Sequence, residues 1–142
     1  RVHIHDRTNV RSITQAMIGG PVDVVVADLS FISLTVVLDA LVAVCRSDAD
    51  LLVMVKPQFE VGKDRLGAGG VVRDPALRVE AVRKIAARGR ELGVGVRGVT
   101  ASPLPGPAGN VEYFLWFRAD AHAVSAERLD DQIEQAVAKG PT

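Results

Sequence analysis

Two charged side chains directly follow strongly apolar runs of the sequence. Asp28 follows Val22–Ala27 and Lys56 follows residues 51–55, while a second acid, Glu112, lies at the beginning of a third apolar run. An acid, an amine and a second acid at one margin of a core could prepare the lysine for proton chemistry, because burial and neighbouring carboxylates act on its protonation in opposite directions. The alternative is a set of solvated strand ends or a structural ion pair.

Hydrophobic periodicity predicts the elements that would bring these residues together. Apolar, β-branched runs predict strands at residues 2–5, 22–27, 51–55, 94–100 and 111–117. Capping residues and apolar stripes predict helices at residues 10–18, from a Ser33 cap through Cys45, from Asp74 through Leu92, and from Ser125 to Lys139.

Alternating strands and helices, with central strands apolar on both faces, predict an α/β sheet that is covered on both sides. The three prolines of residues 102–107 cannot lie inside a central strand, so they predict a hairpin turn. The expected sheet is therefore parallel with one late antiparallel strand. Ligands of such sheets bind beyond the carboxyl ends of the strands, which is where Asp28 and Lys56 are expected.

Composition restricts the class of protein. The chain has 142 residues, 17 basic and 17 acidic side chains, and 48% hydrophobic residues, which is typical of one globular domain. Neither disorder nor a nucleic-acid-coating role fits this charge balance. No apolar run approaches the roughly 18 residues of a membrane span, so no membrane partner is expected. The single cysteine, Cys45, excludes an internal disulfide and suits a reducing cytoplasm.

A glycine-rich segment covers residues 58–73. It lacks the Gly-Lys-Ser/Thr sequence of a phosphate-binding loop and does not match G-x-G-x-x-G. Lys63 and Arg65 could contact phosphates from a mobile loop that covers a substrate, or the segment could be a plain connection.

Other reactive residue types give weaker indications. His3 and His5 lack a cluster of further ligands, so a metal site is not expected. Ser30 has no evident partners for a catalytic triad, and Cys45 falls on an apolar helix face. Phe31, just past a strand end, could stack on a base or pack against the next helix.

Four segments carry a specific set of motifs in a fixed order. They read DRTNVR at residues 6–11, ADLSFIS at 27–33, VKPQFE at 55–60 and SPLPGPAGNVEYF at 102–114. Together they resemble the TlyA family, whose members are FtsJ-like ribosomal RNA 2′-O-methyltransferases with an S4 domain, often named hemolysins. The resemblance implies a Rossmann-like sheet that binds S-adenosyl-L-methionine and methylates a cytidine ribose.

The resemblance also implies roles for individual residues. Asp28, Lys56 and Glu112 match three members of the family's Lys-Asp-Lys-Glu catalytic set. Near the cofactor the matching residues are Asp6, Asn9, Leu29 and Ser30. Arg7 and Arg11 could contact phosphates of ribosomal RNA or a ribosomal subunit, with a solvated helix face as the alternative.

Several parts of the family pattern do not occur in residues 1–142. These parts are the glycine-rich cofactor loop, the first catalytic lysine, the acid of the second strand and the S4 domain. The chain is therefore expected to be a partial FtsJ-like methyltransferase domain, inactive alone, that dimerises through the exposed edge of the strand Val22–Ala27. The alternatives are a non-catalytic module that binds RNA or a protein partner, and a membrane-lytic protein, which the lack of a basic amphipathic helix disfavours.

Overall fold

The computed structural model describes residues 1–119 and 123–141. It contains the strands β1 (Val22–Ala27), β2 (Cys45–Val55), β3 (Gly95–Ala101) and β4 (Tyr113–Arg118), and the helices α1 (Gln15–Ile18), α2 (Leu38–Ala43), α3 (Pro75–Glu91) and α4 (Ala126–Lys139). Short 3₁₀ turns occur at Val10–Ser12, Leu34–Val36, Pro57–Phe59, Lys63–Arg65 and Ala68–Gly70.

The two long helices begin where the sequence predicts them. Asp74 caps α3 by accepting a hydrogen bond from the Ala76 N–H, and a proline occupies the first turn. Ser125 caps α4 in the same manner through the Arg128 N–H. Side-chain oxygens thus satisfy amides that the helix itself cannot.

The four strands form one mixed sheet in the order β1-β2-β4-β3. β1 and β2 are parallel, and β4 is antiparallel to both β2 and β3. The predicted hairpin between β3 and β4 is confirmed, as is the late antiparallel strand. Because β4 runs opposite to β2, its first residue, Tyr113, pairs with the last residue of β2, Val55.

One face of the sheet carries the core. Leu51, Val53, Leu115 and Phe117 are fully buried or nearly so, and they form a single apolar cluster with buried residues of α2, α3 and α4. Each such side chain contributes about 1.5–3 kcal/mol when it leaves water. This cluster fixes the sheet against the helices.

The expectation of a sheet covered on both sides is wrong for the described part of the chain. Alternate residues face away from the core, and there Val24, Val26 and Trp116 remain 61%, 74% and 38% exposed. The helices that bury apolar residues, α2 to α4, all contribute to the cluster on the other face. Apolar side chains on both faces of the strands predicted a covering layer on each side, but the described helices cover one face.

Three element boundaries also differ from the predictions. Residues 2–5 form no strand, because none of the described strands pairs with them, and Val2 and Ile4 are exposed. The helix predicted at 10–18 divides into a 3₁₀ turn and α1, since Thr14 adopts an extended conformation and caps α1. The Ser33 cap is confirmed, yet its helix ends at Ala43.

Cys45 consequently belongs to a strand and not to a helix face. It opens β2, which begins six residues earlier than predicted, and it pairs with Val22 of β1. The strand pairing therefore competes successfully with continuation of the helix.

Candidate active site

Lys56 is the centre of a polar cluster at one edge of the sheet. Its Nζ lies 2.6 Å from Asp28 Oδ1 and donates a 3.0 Å hydrogen bond to Ser30 Oγ. The lysine side chain is only 11% exposed, while that of Asp28 is 67% exposed. The amine is therefore held from the protein side and its acidic partner faces solvent.

Strand ends explain this meeting of distant residues. Asp28 directly follows β1 and Lys56 directly follows β2, and these strands are parallel neighbours. Parallel strands place their carboxyl ends at the same edge, so the first residue after each strand lies beside the other. The predicted proximity of Asp28 and Lys56 is confirmed by the 2.6 Å contact between their side chains.

Glu112 reaches the same edge from the antiparallel strand. It immediately precedes β4, and its side-chain Oε1 accepts a 3.3 Å hydrogen bond from Gln58 Nε2. Gly106 leaves room for the carboxylate, because a Cβ there would lie 2.7 Å from Oε1. In the described chain no hydrogen bond or ion pair joins Glu112 to Lys56, so the second acid connects to the lysine turn through Gln58.

The loop after Asp28 presents an aromatic ring to solvent. Phe31 is 91% exposed and adopts a left-handed conformation with φ 62°, which is unusual for a bulky residue. Its ring centroid lies 5.2 Å from that of Phe59, which belongs to the turn after Lys56. Backbone strain of this kind persists only where the surroundings hold it, and it is concentrated at functional sites.

The glycine-rich segment is anchored by Asn110. This residue is 2% exposed; its Oδ1 accepts the Val72 N–H at 2.9 Å and its Nδ2 donates to the Gly70 carbonyl at 3.1 Å. Both ends of the amide are thereby satisfied away from water. The anchor links the segment to the turn that delivers Glu112.

This arrangement is suited to proton handling at a substrate hydroxyl. An ammonium has three hydrogens to donate, and two of those on Lys56 are directed at Asp28 and Ser30. A hydroxyl that approached the solvent side would meet the third hydrogen, or the nitrogen lone pair of the neutral amine. The site can therefore orient a hydroxyl oxygen and take up its proton.

The sequence of the chain matches one family over most of its length. The family described as FtsJ-like methyltransferase matches residues 1–119. The chain belongs to the FtsJ-like methyltransferase family. A curated member from Mycobacterium tuberculosis, the 16S/23S rRNA (cytidine-2′-O)-methyltransferase TlyA, is 56% identical over 142 residues, which cover 99% of this chain and 53% of that protein.

Solved structures show the same FtsJ-like fold. Two of them, each described as a putative hemolysin, come from Lactococcus lactis and Streptococcus thermophilus, with TM-scores of 0.83 and 0.85 and identities of 31% and 27%. The match covers 94% of this chain in both cases, but 63% and 48% of those chains. This chain is thus partial relative to its FtsJ-like relatives, and it spans about half the length of TlyA.

The cofactor residues that the resemblance implies come from two segments of the chain. Asp6 and Asn9 are exposed near the beginning of the chain, and Asn9 Oδ1 accepts the Arg11 N–H at 3.0 Å. Leu29 packs against the core and Ser30 lies beside Lys56. In the described residues no hydrogen bond or ion pair connects the first pair to the second, so a shared role remains a prediction for this FtsJ-like chain.

The basic residues implied for RNA differ in their surroundings. Arg7, with φ 52°, and Arg11 are exposed, as is Lys63. Arg65 instead forms two hydrogen bonds to Glu80, at 2.6 and 2.9 Å, and a third to the Val61 carbonyl. The hydrogen bond from Arg65 lowers the pKa of Glu80. A guanidinium held in this manner has less capacity for a phosphate than the three exposed side chains.

Two polar residues of the site escaped the sequence analysis. Gln58 holds Glu112, and Glu60 is buried at the end of the turn that begins after Lys56. Hydrophobic periodicity carries no information about such turns. Pro57 could have predicted this turn, because proline favours the first position of a helical turn. Such a turn brings the next residues back toward the lysine.

Two further features of the described residues concern clusters of metal-ligating side chains and helices that could span a membrane. Across residues 1–119 and 123–141, no group of three or more His, Cys, Asp or Glu side chains could hold a metal ion. No helix in the same ranges is long and apolar enough to cross a membrane.

Proposed function

We propose that the chain is part of the catalytic domain of an S-adenosyl-L-methionine-dependent rRNA methyltransferase that methylates the 2′-hydroxyl of a cytidine ribose. The contact between Lys56 Nζ and Asp28 Oδ1, at 2.6 Å on the sheet edge of an FtsJ-like chain, carries this proposal. The name of the TlyA relative supports the substrate.

In this proposal, residues 1–142 are a partial methyltransferase domain. The glycine-rich cofactor loop of the family does not occur in the sequence, so the chain alone transfers little methyl. A longer polypeptide supplies that loop and a basic RNA-binding domain, which adds the electrostatic attraction that a chain of zero net charge lacks. We place the enzyme in the cytoplasm.

Four residues would contribute to binding the cofactor. S-adenosyl-L-methionine supplies an electrophilic methyl group on a positively charged sulfur. The exposed carboxylate of Asp6 and the side chain of Asn9 suit the hydroxyl and amino groups of its adenosine end. Leu29 and Ser30, which follow Asp28, would contact the methionine end of the cofactor.

Lys56 handles the proton of the attacking hydroxyl. Asp28 and Ser30 fix the ammonium, so that it meets the ribose 2′-oxygen in one orientation. The 2′-oxygen bonds to the methyl carbon as the bond from that carbon to sulfur breaks, and the hydroxyl proton passes to the Lys56 nitrogen after the ammonium has released one proton to solvent. Glu112, held by Gln58, places a second acid at the same edge of the sheet.

The RNA would approach over the loop after β1. The exposed ring of Phe31 offers a surface on which a nucleobase can stack, a contact worth roughly 1–3 kcal/mol for each base. Arg7, Arg11, Lys63 and Arg65 contribute charge toward phosphates of ribosomal RNA or of a ribosomal subunit. Arg65 contributes least, because Glu80 already engages it.

A second function is a non-catalytic module that binds RNA or a protein partner on the same fold. The lack of the family's glycine-rich cofactor loop in residues 1–142 favours it, since a working cofactor site would need that loop. Such a module would bind RNA and leave it unmethylated.

The deciding experiment incubates the full-length protein with ribosomal subunits and S-adenosyl-L-methionine labelled in the methyl group. We expect the label in RNA, recovered after nuclease digestion as 2′-O-methylcytidine. Label in a base or in protein contradicts the proposal, and RNA binding without transfer establishes the non-catalytic module.

A further inference from the structure

Glu60 is a buried carboxylate with a full set of partners. Its side chain is 1% exposed. Oε1 accepts the Leu34 N–H at 2.8 Å, and Oε2 accepts the Ser33 hydroxyl at 2.5 Å. Hydrogen bonds to an ionised carboxylate are stronger than those between neutral groups, so this contact is a firm one.

The partners of Glu60 belong to a different loop of the site. Ser33 and Leu34 end the loop that begins at Asp28 and carries Ser30 and Phe31. Glu60 ends the turn that begins at Lys56, whose carbonyl accepts the Phe59 N–H at 2.9 Å. The carboxylate therefore joins the loop of the acid to the turn of the amine.

Helix α3 provides a third anchor. Lys84 Nζ lies 3.3 Å from Glu60 Oε2 and donates a 2.8 Å hydrogen bond to the Glu60 carbonyl. Lys84 belongs to the helix that carries much of the core, including Val82 and Ile85. The junction is thus joined to a helix whose buried residues belong to the core.

The loop that Glu60 holds is the strained one. Phe31 has φ 62° and is 91% exposed, so burial of its own side chain does not stabilise this conformation. Non-glycine residues keep a left-handed conformation only when neighbouring contacts impose it. Two such contacts are available, the Phe59 ring and the tether from Glu60 to Ser33 and Leu34.

We infer that Glu60 is a positioning residue, which holds the loop of residues 29–33 in place so that Ser30 meets Lys56 and Phe31 faces the RNA base. The inference rests on the proposed function. It assigns Glu60 no contact with either substrate. Glu60 would affect methyl transfer only by positioning Ser30 and Phe31 of this loop.

The experiment compares Glu60→Ala and Glu60→Gln in the full-length protein, with Glu134→Gln as a control. Glu134 is an exposed carboxylate of α4, paired with Arg83. Glu60→Ala should raise the KM for RNA about tenfold and lower kcat, because loop and lysine lose their alignment. Glu60→Gln keeps an acceptor for the Leu34 N–H and should recover part of the loss. Glu134→Gln should match the wild type.

A double-mutant comparison separates positioning from plain stability. If Glu60 acts through the loop, adding Phe31→Ala to Glu60→Ala changes the KM for RNA little beyond the single variants. Effects on KM that multiply in the double variant would show that Glu60 acts independently of the Phe31 loop, and an unchanged KM in Glu60→Ala below its melting temperature would show that Glu60 only stabilises the fold. Either of these results overturns the inference.

Three further outcomes are also decisive. Should Glu60→Ala fail to fold, Ser33→Ala, which removes one tether, should shift KM in the same direction by a smaller factor, and an unchanged KM overturns the inference. If the wild type transfers no methyl, the proposed function fails and the inference fails with it. A fully active wild type with a Glu60→Ala variant equal to Glu134→Gln defeats the inference alone.

Discussion

At the scale of single residues, the environment of Lys56 differs from that of a surface ion pair. Exposed pairs contribute roughly 0–1 kcal/mol because water and salt screen them. Here the lysine is largely buried, its acidic partner is exposed, and a hydroxyl provides the second contact. The pair therefore serves to direct the amine, and a gain in stability is not needed to explain it.

Cys45 gives a residue-scale prediction on thiol reactivity. Burial raises the pKa of the Cys45 thiol, and its Sγ donates to the Leu41 carbonyl at 3.2 Å. A raised pKa means less thiolate at a given pH, and only thiolate reacts quickly. At pH 8, Cys45 should react with a disulfide reagent about tenfold or more slowly in the native chain than in urea. Equal rates in both conditions would show that the thiol is neither shielded nor neutral.

At the scale of elements, loops that are tied by single polar side chains determine the shape of the site. Asn110 holds the glycine-rich segment, Gln58 holds Glu112, and Glu60 holds the loop after β1. Each tie spans residues that are distant in sequence. The strands bring the loops to one edge, and these side chains then fix their relative positions.

Asn110→Ala tests this element-scale description. The substitution leaves the buried Val72 N–H without its partner and also removes the partly buried hydrogen bond to the Gly70 carbonyl. An unsatisfied buried group costs about 1–3 kcal/mol, so the free energy of unfolding in urea should fall by that amount.

The matched control is Gln135→Ala, which removes an exposed amide from α4. It should change the free energy of unfolding by less than about 0.5 kcal/mol. Equal stabilities for the two variants would contradict the anchoring role of Asn110.

The sequence predicted the helices and strands better than it predicted the side-chain contacts that join the loops. The contact of Asp28 with Lys56 was predictable because both follow apolar strands of one parallel pair. The contacts of Glu60 could not be predicted, because they depend on how the turn after Pro57 folds back. Hydrophobic periodicity does not predict the shape of such turns. Residues 2–5 alternate like a strand, yet alternation alone supplies no partner for pairing.

At the scale of the whole molecule, the bare face of the sheet is the main departure from a self-contained domain. Val24 and Val26 of β1 are exposed, and among the described strands β1 pairs with β2 alone. The opposite edge is different, because the Val124 N–H pairs with the Val96 carbonyl of β3 at 2.9 Å. An open edge beside apolar side chains promotes association with other chains.

The 142-residue chain alone should therefore self-associate, and Val26→Lys should shift it toward the monomer. Light scattering coupled to size-exclusion chromatography measures this directly. Leu104→Lys is the matched control, since Leu104 and Val26 are both 74% exposed but Leu104 lies in the proline-rich turn. A compact wild-type monomer at micromolar concentration, or an equal effect of both variants, would contradict association through β1.

The most direct test of the central claim separates methyl transfer from RNA affinity in one variant. In the full-length protein, Lys56→Ala should lower the rate of 2′-O-methylation at least about a thousandfold while changing the Kd for RNA less than about threefold. Lys139→Ala, at an exposed lysine that ends α4, should leave both quantities unchanged. A Lys56→Ala enzyme that still methylates at the wild-type rate would show that the amine beside Asp28 takes no part in the chemistry.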